Sequence, residues 1–221
     1  MAKKVEHLFS AEEREHIAAA VKAAERHTAG EIVPCILAQC DEYEEAIWRG
    51  GALAAFLAFA VFYCLRAFTD TWLPLGVGAM GAGVALAGGA GMPLAQWAPP
   101  LRRLLAGEEL MDRRVTGRAL QTFVEEELFA TRERTGILIF LSLFEHEVRV
   151  LGDAGINARV AQEEWEGVVR TITQGMRQGQ AAEGLVAAIA QCGALLERCG
   201  VARRADDTDE LGNAPRTEGE A

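Results

Sequence analysis

The chain has 221 residues, half of them hydrophobic, with 24% charged residues and a formal net charge of −10. That length holds one medium domain plus an extra element, or two small domains, and the apolar fraction excludes wholesale disorder. The acidic balance excludes an electrostatic nucleic-acid binder, which needs a basic face. The mean hydropathy of +0.08 is high for a chain with 22 basic and 32 acidic residues, so strongly apolar material must be concentrated somewhere.

In chain order, Phe9-Ser10-Ala-Glu-Glu13 reads as a helix start. Ser10 is the N-cap, Glu13 completes a capping box, and Phe9 is placed as a hydrophobic staple. Ile17, Val21 and Ala24 recur at helical spacing, which predicts an amphipathic helix over 10–27. Residues 31–38 (EIVPCILA) read as a strand, with Pro34 demoting it towards an edge or a bulge. One helix and one strand cannot bury a core, so residues 8–47 must pack on something further along the chain. Residues 1–30 contain no apolar stretch of the kind a signal peptide needs, so export by that route is not expected.

Residues 48–98 are the apolar material. From Gly50 to Leu101 the only charges are Arg66 and Asp70, so the net charge lies outside this segment. Trp48 to Leu65 (WRGGALAAFLAFAVFYCL) covers roughly 27 Å as a helix, close to a hydrocarbon core of about 30 Å. Arg66 to Thr71 is a short polar turn, and Trp72 to Trp97 is a second, uncharged run rich in Gly and Ala. Trp48, Tyr63, Trp72 and Trp97 bracket the two runs, as aromatic rings do at headgroup level. The reading is a transmembrane helical hairpin; the competing one is a buried hairpin in a soluble protein. Small residues four apart, such as Ala79 and Gly83 or Gly81 and Ala85, would let helix backbones approach closely. Arg49, Arg102, Arg103, Arg113 and Arg114 flank the hairpin against Arg66 alone in its turn, which places both soluble segments in the cytoplasm.

Within 102–202, residues 108–130 read as a helix with Leu120, Phe123, Val124 and Leu128 on one face. Ile137 to Leu143 (ILIFLSL) is a continuous apolar run broken only by Ser142, as expected for a central strand covered on both faces. Glu145-His146 turns the chain into a second strand, Glu147 to Leu151, stopped by Gly152-Asp-Ala-Gly155. Two helices follow, with Trp165, Val168, Val169, Ile172 and Met176 on the first stripe and Leu185, Ile189, Cys192 and Leu196 on the second. The acidic tail over 203–221 lacks apolar periodicity and reads as disordered. The sum is an α/β fold with a mixed sheet between helical layers, split by the hairpin, whose two soluble parts co-fold.

The stretch Ala130-Thr131-Arg-Glu-Arg-Thr-Gly136-Ile-Leu-Ile-Phe-Leu-Ser142, continuing through Glu145 to Asp153-Ala-Gly-Ile156, resembles the TPM domain family. Trp165 and the closing helices follow in the family's order. Upstream, Ala24-Glu25 and Thr28-Ala-Gly-Glu31-Ile-Val33 are similar to its first helix and strand, and Asp41 and Tyr43 continue the pattern. The split, two-span layout is similar to a bacterial membrane-anchored branch. The resemblance implies a three-layer α/β/α fold. It also implies association, in some members, with acid phosphatase activity, divalent-cation binding or repair of a membrane photosystem, while most bacterial relatives have no assigned role.

Asp153 ends a strand between glycines, where a carboxylate can face a crevice or simply cap a helix. Glu31 and Asp41 bracket the first strand, Asp41 opening an acidic run whose ordinary role is a solvated face. With Glu145 these residues supply hard oxygens suited to Ca²⁺ or Mg²⁺, although they form no contiguous loop motif. Thr131, Thr135 and Ser142 carry no mark of an activated nucleophile, and His146 reads as an exposed turn residue. The five cysteines contain no C-x-x-C pair, which removes zinc and dithiol motifs and suits reduced cytosolic thiols, and no phosphate-binding glycine loop is present. The leading expectation is a non-enzymatic anchor or scaffold that meets the lipid bilayer and another membrane protein at the cytoplasmic face of a bacterial inner membrane. The alternative is a divalent-metal-dependent phosphatase built around Asp153.

Overall fold

Isoleucine and leucine on both faces of one strand require a helical layer on each side, and that is how the chain folds. The computed structural model describes residues 9–26, 28–68, 76–201, 212 and 214–217. It divides into two compact units, Met1–Cys40 with Arg114–Ala221, and Asp41–Arg113.

The first unit is built on a mixed sheet. Strand β1 (Ile32–Leu37) runs parallel to β2 (Ile137–Ser142), with Ile32 opposite Ile137 and Leu37 opposite Ser142. Strand β3 (Glu147–Gly152) returns antiparallel to β2. A two-residue strand β4 (Arg216–Thr217) adds to the far side of β1, giving the order β3-β2-β1-β4. Alternate residues then separate into two cores. Ile32, Ile36, Ile137, Ile139 and Leu141 point to one face. They are covered there by α1 (Ala11–Glu25), α7 (Gln162–Arg177) and α8 (Ala181–Arg198). Val33, Cys35, Leu37, Leu138 and Phe140 point to the other face, where Val115 and Ala119 of α5 (Glu108–Glu125) cover them. The expected three-layer α/β/α arrangement is thus present. Ser10 and Glu13 form both halves of the capping box, and Phe9 is buried beside them. Trp165, Val168 and Ile172 on α7 and Leu185, Ile189, Cys192 and Leu196 on α8 are buried as their spacing predicts.

Three expectations in this unit are corrected. Helix α5 stops at Glu125, and Glu127 takes a left-handed backbone (φ 52°) before a 3-10 turn at Leu128–Ala130. Met111, Val115, Ala119 and Thr122 are its buried side, while Leu120 (53% exposed) and Val124 (59%) face outward. The tail is not structureless where it is described: Arg216–Thr217 pairs with Cys35 and Ile36, and Arg216 Nε sits 2.7 Å from Glu126 Oε2. The rest of the expected disordered segment lies outside the described residues. The strand carrying Pro34 is not the edge expected of it: β1 lies between β2 and the short β4, whose two-residue ladder begins opposite Cys35, one position past Pro34.

The second unit contains two helices long and apolar enough to cross a membrane, α2 (Glu44–Phe68) and α3 (Val77–Trp97), followed by the short α4 (Pro99–Ala106). Phe56, Leu57, Phe59 and Val61 of α2 are exposed, so this is not a hairpin buried within the described chain. The helices meet through small residues. A Cβ on Gly91 would lie 2.6 Å from Ala54 Cβ, and one on Gly88 would lie 3.3 Å from Ala55 Cβ. Of the residues expected at the seam, Gly83 faces α2, a Cβ there lying 2.9 Å from Phe62 Cζ, whereas Ala79, Gly81 and Ala85 are exposed and Gly81 has nothing near it. The expected polar turn lies largely outside the described residues, and Arg66 belongs to α2.

Candidate functional site at the two ends of the sheet

The polar residues singled out in the sequence fall at opposite ends of the strands. At the end where β3 finishes, Asp153 is 5% exposed and caps the single-turn helix α6 (Ala154–Asn157), accepting from the Ala154 N–H at 2.7 Å. The same carboxylate receives two bonds from Arg134, Nε to Oδ2 at 2.6 Å and Nη2 to Oδ1 at 3.0 Å. Arg134 reaches it from a left-handed conformation (φ 59°) in the loop before β2. This bidentate geometry raises the guanidinium's already high pKa, chiefly through the hydrogen bonds to Asp153. The loop is tied down further by backbone bonds from Asp153 N to Gly136 O and from Gly155 N to Arg134 O, each 2.9 Å. Position 155 must be glycine for this approach, because a Cβ there would sit 2.6 Å from Arg134 O. The Thr131 hydroxyl accepts from Thr135 N, and Thr135 Oγ1 donates to Ala29 O across to the start of β1. Glu31 is buried at this same end, and Glu25 accepts the Ile32 N–H at 2.9 Å.

At the other end the parallel register brings the exits of β1 and β2 side by side. Glu145 is 3% exposed and accepts the Cys40 N–H at 2.9 Å on one oxygen and the Ser142 hydroxyl on the other. The Cys40 thiol donates to Ser142 Oγ at 3.2 Å. Burial, with smaller opposing contributions that include the Ser142 hydrogen bond, pushes the Cys40 thiol up to about 12. Cys35 and Cys192 are pushed to about 12 as well, burial being the first cause in each. These thiols stay protonated at neutral pH and are poor nucleophiles. His146 is exposed in a left-handed turn conformation (φ 57°), as expected of a turn residue.

Of the carboxylates proposed for a single cation site, the three in the first unit, Glu31, Glu145 and Asp153, are not gathered into one place. Glu31 and Asp153 close one end of the sheet and Glu145 the other, roughly 20 Å away along six strand residues at about 3.3 Å each. The Asp41 carboxylate accepts the Tyr43 N–H at 3.3 Å. Among the described residues no group of three His, Cys, Asp or Glu side chains is placed to hold a metal ion. A cation at Asp153 would have to displace a bidentate guanidinium, and one at Glu145 would compete with two donors already in place. Sequence reasoning missed Arg134 as the partner of Asp153 and the Cys40–Ser142–Glu145 cluster. The one local signal for the latter is an acidic residue three positions after the strand-ending Ser142.

Residues 107–195 match the family model described as the TPM domain, a stretch that holds Glu145, Asp153 and Trp165. Among solved structures, the NMR structure of the BA42 protein from the psychrophilic bacterium Bizionia argentinensis is similar, with a TM-score of 0.57 and 20% identity. The match covers 95% of this chain and 94% of that one, and at this identity it speaks for the fold alone. None of the curated proteins matches the chain. The family's segment thus runs from the start of α5 into α8 on an α/β fold of the same kind, and over residues 107–195 this chain is similar to the TPM domain.

Proposed function

We propose that the chain is a membrane-anchored, non-catalytic TPM module that scaffolds or maintains a membrane complex from the cytoplasmic face of a bacterial inner membrane. The observation that carries this reading is the use to which the two strongest site carboxylates are put. Asp153 holds a loop and a helix start, and Glu145 holds two strand exits, so both serve the shape of the domain. The outward apolar surfaces of α2 and α3 supply the anchor, and the exposed Leu120 and Val124 give the soluble unit an apolar pair for a protein partner. The arginines flanking the hairpin favour a cytoplasmic placement of both soluble segments.

The competing reading is a phosphatase that draws on Ca²⁺ or Mg²⁺ around Asp153, and one substitution separates the two. Asparagine at 153 keeps the helix cap but loses the charge that holds Arg134. For full-length protein in detergent, D153N is expected to lower the unfolding midpoint by roughly a few degrees. Neither form is expected to release phosphate from p-nitrophenyl phosphate with either cation at acid or neutral pH. Phosphate release by the parent that D153N abolishes, with the fold intact, would replace the scaffold by the enzyme. A reporter fused after Ala221 should read cytoplasmic, and a periplasmic signal would overturn the orientation.

A further inference from the structure

Helix α3 cannot continue past Trp97, because Pro99 and Pro100 follow and Ala98 is extended (φ −101°, ψ 92°). The chain restarts at once as α4, and α4 is fixed to the beginning of α2. Leu105 Cδ1 lies 3.3 Å from the point where a Cβ on Gly50 would stand. Arg49 Nη1 donates to the Leu105 carbonyl at 2.7 Å and to the Ala106 carbonyl at 3.1 Å, satisfying the last acceptors of α4. The antiparallel seam sets the level of this attachment. Gly50 lies against Ala95, Gly51 against Met92, and Ala54 against Gly91, so Trp48 and Trp97 stand at one height, just beyond Gly50.

At that height three large side chains face outward: Trp48 is 65% exposed, Trp97 is 81% and Leu104 on α4 is 77%. Arg102, two residues earlier and therefore on the opposite side of α4, is buried. The outward apolar face of α2 carries Phe56, Leu57, Phe59 and Val61. Indole rings favour the headgroup level because they are apolar bodies with one N–H donor. A helix lying in that layer turns its apolar side chains to the acyl boundary.

We propose that α4 is an in-plane interfacial helix, with Leu104, Trp48 and Trp97 seated in the lipid headgroup layer of a bilayer and together fixing the depth of the hairpin. This rests on the membrane-anchored reading, and the test separates the two. Full-length protein is reconstituted into phosphatidylcholine vesicles whose acyl chains are brominated near the headgroup or near the bilayer centre. Tryptophan reporters are kept one at a time at 48, 97 or 104 (Leu104→Trp), with every other tryptophan except Trp165 changed to phenylalanine. Trp165 is left as a constant background, subtracted with a variant that retains it alone. Each interfacial reporter should be quenched about two-fold or more strongly by the shallow bromines than by the deep ones, and Leu57→Trp should show the reverse order. Quenching at 48 and 97 with a water-exposed, unquenched reporter at 104 would overturn the placement of α4 alone. Failure of the protein to float with vesicles, or no quenching of Leu57→Trp, would overturn the membrane reading and this inference with it.

Discussion

Replacing Glu145 by alanine should cost the TPM domain about 3 kcal/mol of stability, although the residue touches no ligand in this reading. Glu145 is buried and accepts two donors, the Cys40 N–H and the Ser142 hydroxyl. Removing it strands both. A buried donor left unmet costs about 1–3 kcal/mol, and the truncated side chain leaves a cavity besides. The clamp continues the parallel ladder past its formal end, where Leu143 N and Phe144 N donate to Leu37 O and Ala38 O at 3.0 and 2.9 Å. Loss should therefore appear locally as well as globally. Amide exchange at Cys40 and at 143–144 should rise in Glu145→Ala before exchange in the β2 interior does. Glu145→Gln keeps one acceptor oxygen and nearly the same volume, so it should recover about half of the loss. Urea unfolding in mild detergent measures the difference. A change under about 1 kcal/mol for the alanine variant would mean that water replaces the carboxylate and the clamp is dispensable.

The layers of this fold were legible because their signals are local. Ile137 to Leu141 are apolar at every position, and the structure buries each of them completely, three residues to one face and two to the other. The capping box and the stripes on α7 and α8 needed only spacing over three to seven residues. The error on α5 has a local cause too, but one that spacing hides. Leu120, Val124 and Leu128 form a regular stripe only if the helix runs on to 128. The left-handed Glu127 breaks that phase, so Leu128 reaches the core from a 3-10 turn while Val115 and Ala119 do the packing. The short β4 was invisible for a different reason: its two residues carry no pattern, and they are held by the open edge of β1 and by Glu126.

The site residues were recognisable one at a time, and their partners were not. Asp153 and Glu145 stood out by position. The chemistry of each is set by a group that a sequence reading does not connect to it. Arg134 lies nineteen positions away and reaches Asp153 only through a positive φ. Cys40 meets Glu145 only because β1 and β2 are parallel and in one register. Carboxylates that look available for a cation in a linear reading are thereby given to donors within the protein.

The hairpin gives the second large effect: Gly91→Val should part α2 from α3, and Gly81→Val should leave them together. In lipid no hydrophobic force draws two apolar helices together, so association depends on backbone approach at small residues. A Cβ at 91 would fall 2.6 Å from Ala54 Cβ and 2.7 Å from the Gly50 carbonyl oxygen, and that backbone oxygen cannot rotate away. At 81 a Cβ would meet nothing within 4 Å. Ala55→Cys with Gly88→Cys reports the seam, since the two Cβ positions lie 3.3 Å apart, close to disulfide geometry. Cys64 and Cys199 are replaced by serine, and the buried Cys35 and Cys192 and the half-buried Cys40 stay in place because their thiols remain protonated. Oxidation in membranes should join the pair readily in the parent and in Gly81→Val, and about ten-fold more slowly in Gly91→Val. Equal rates in all three would show that the helices do not meet along Gly88 and Gly91. A loss in Gly81→Val alone would return the seam to the Ala79–Gly83 and Gly81–Ala85 face that the sequence first suggested.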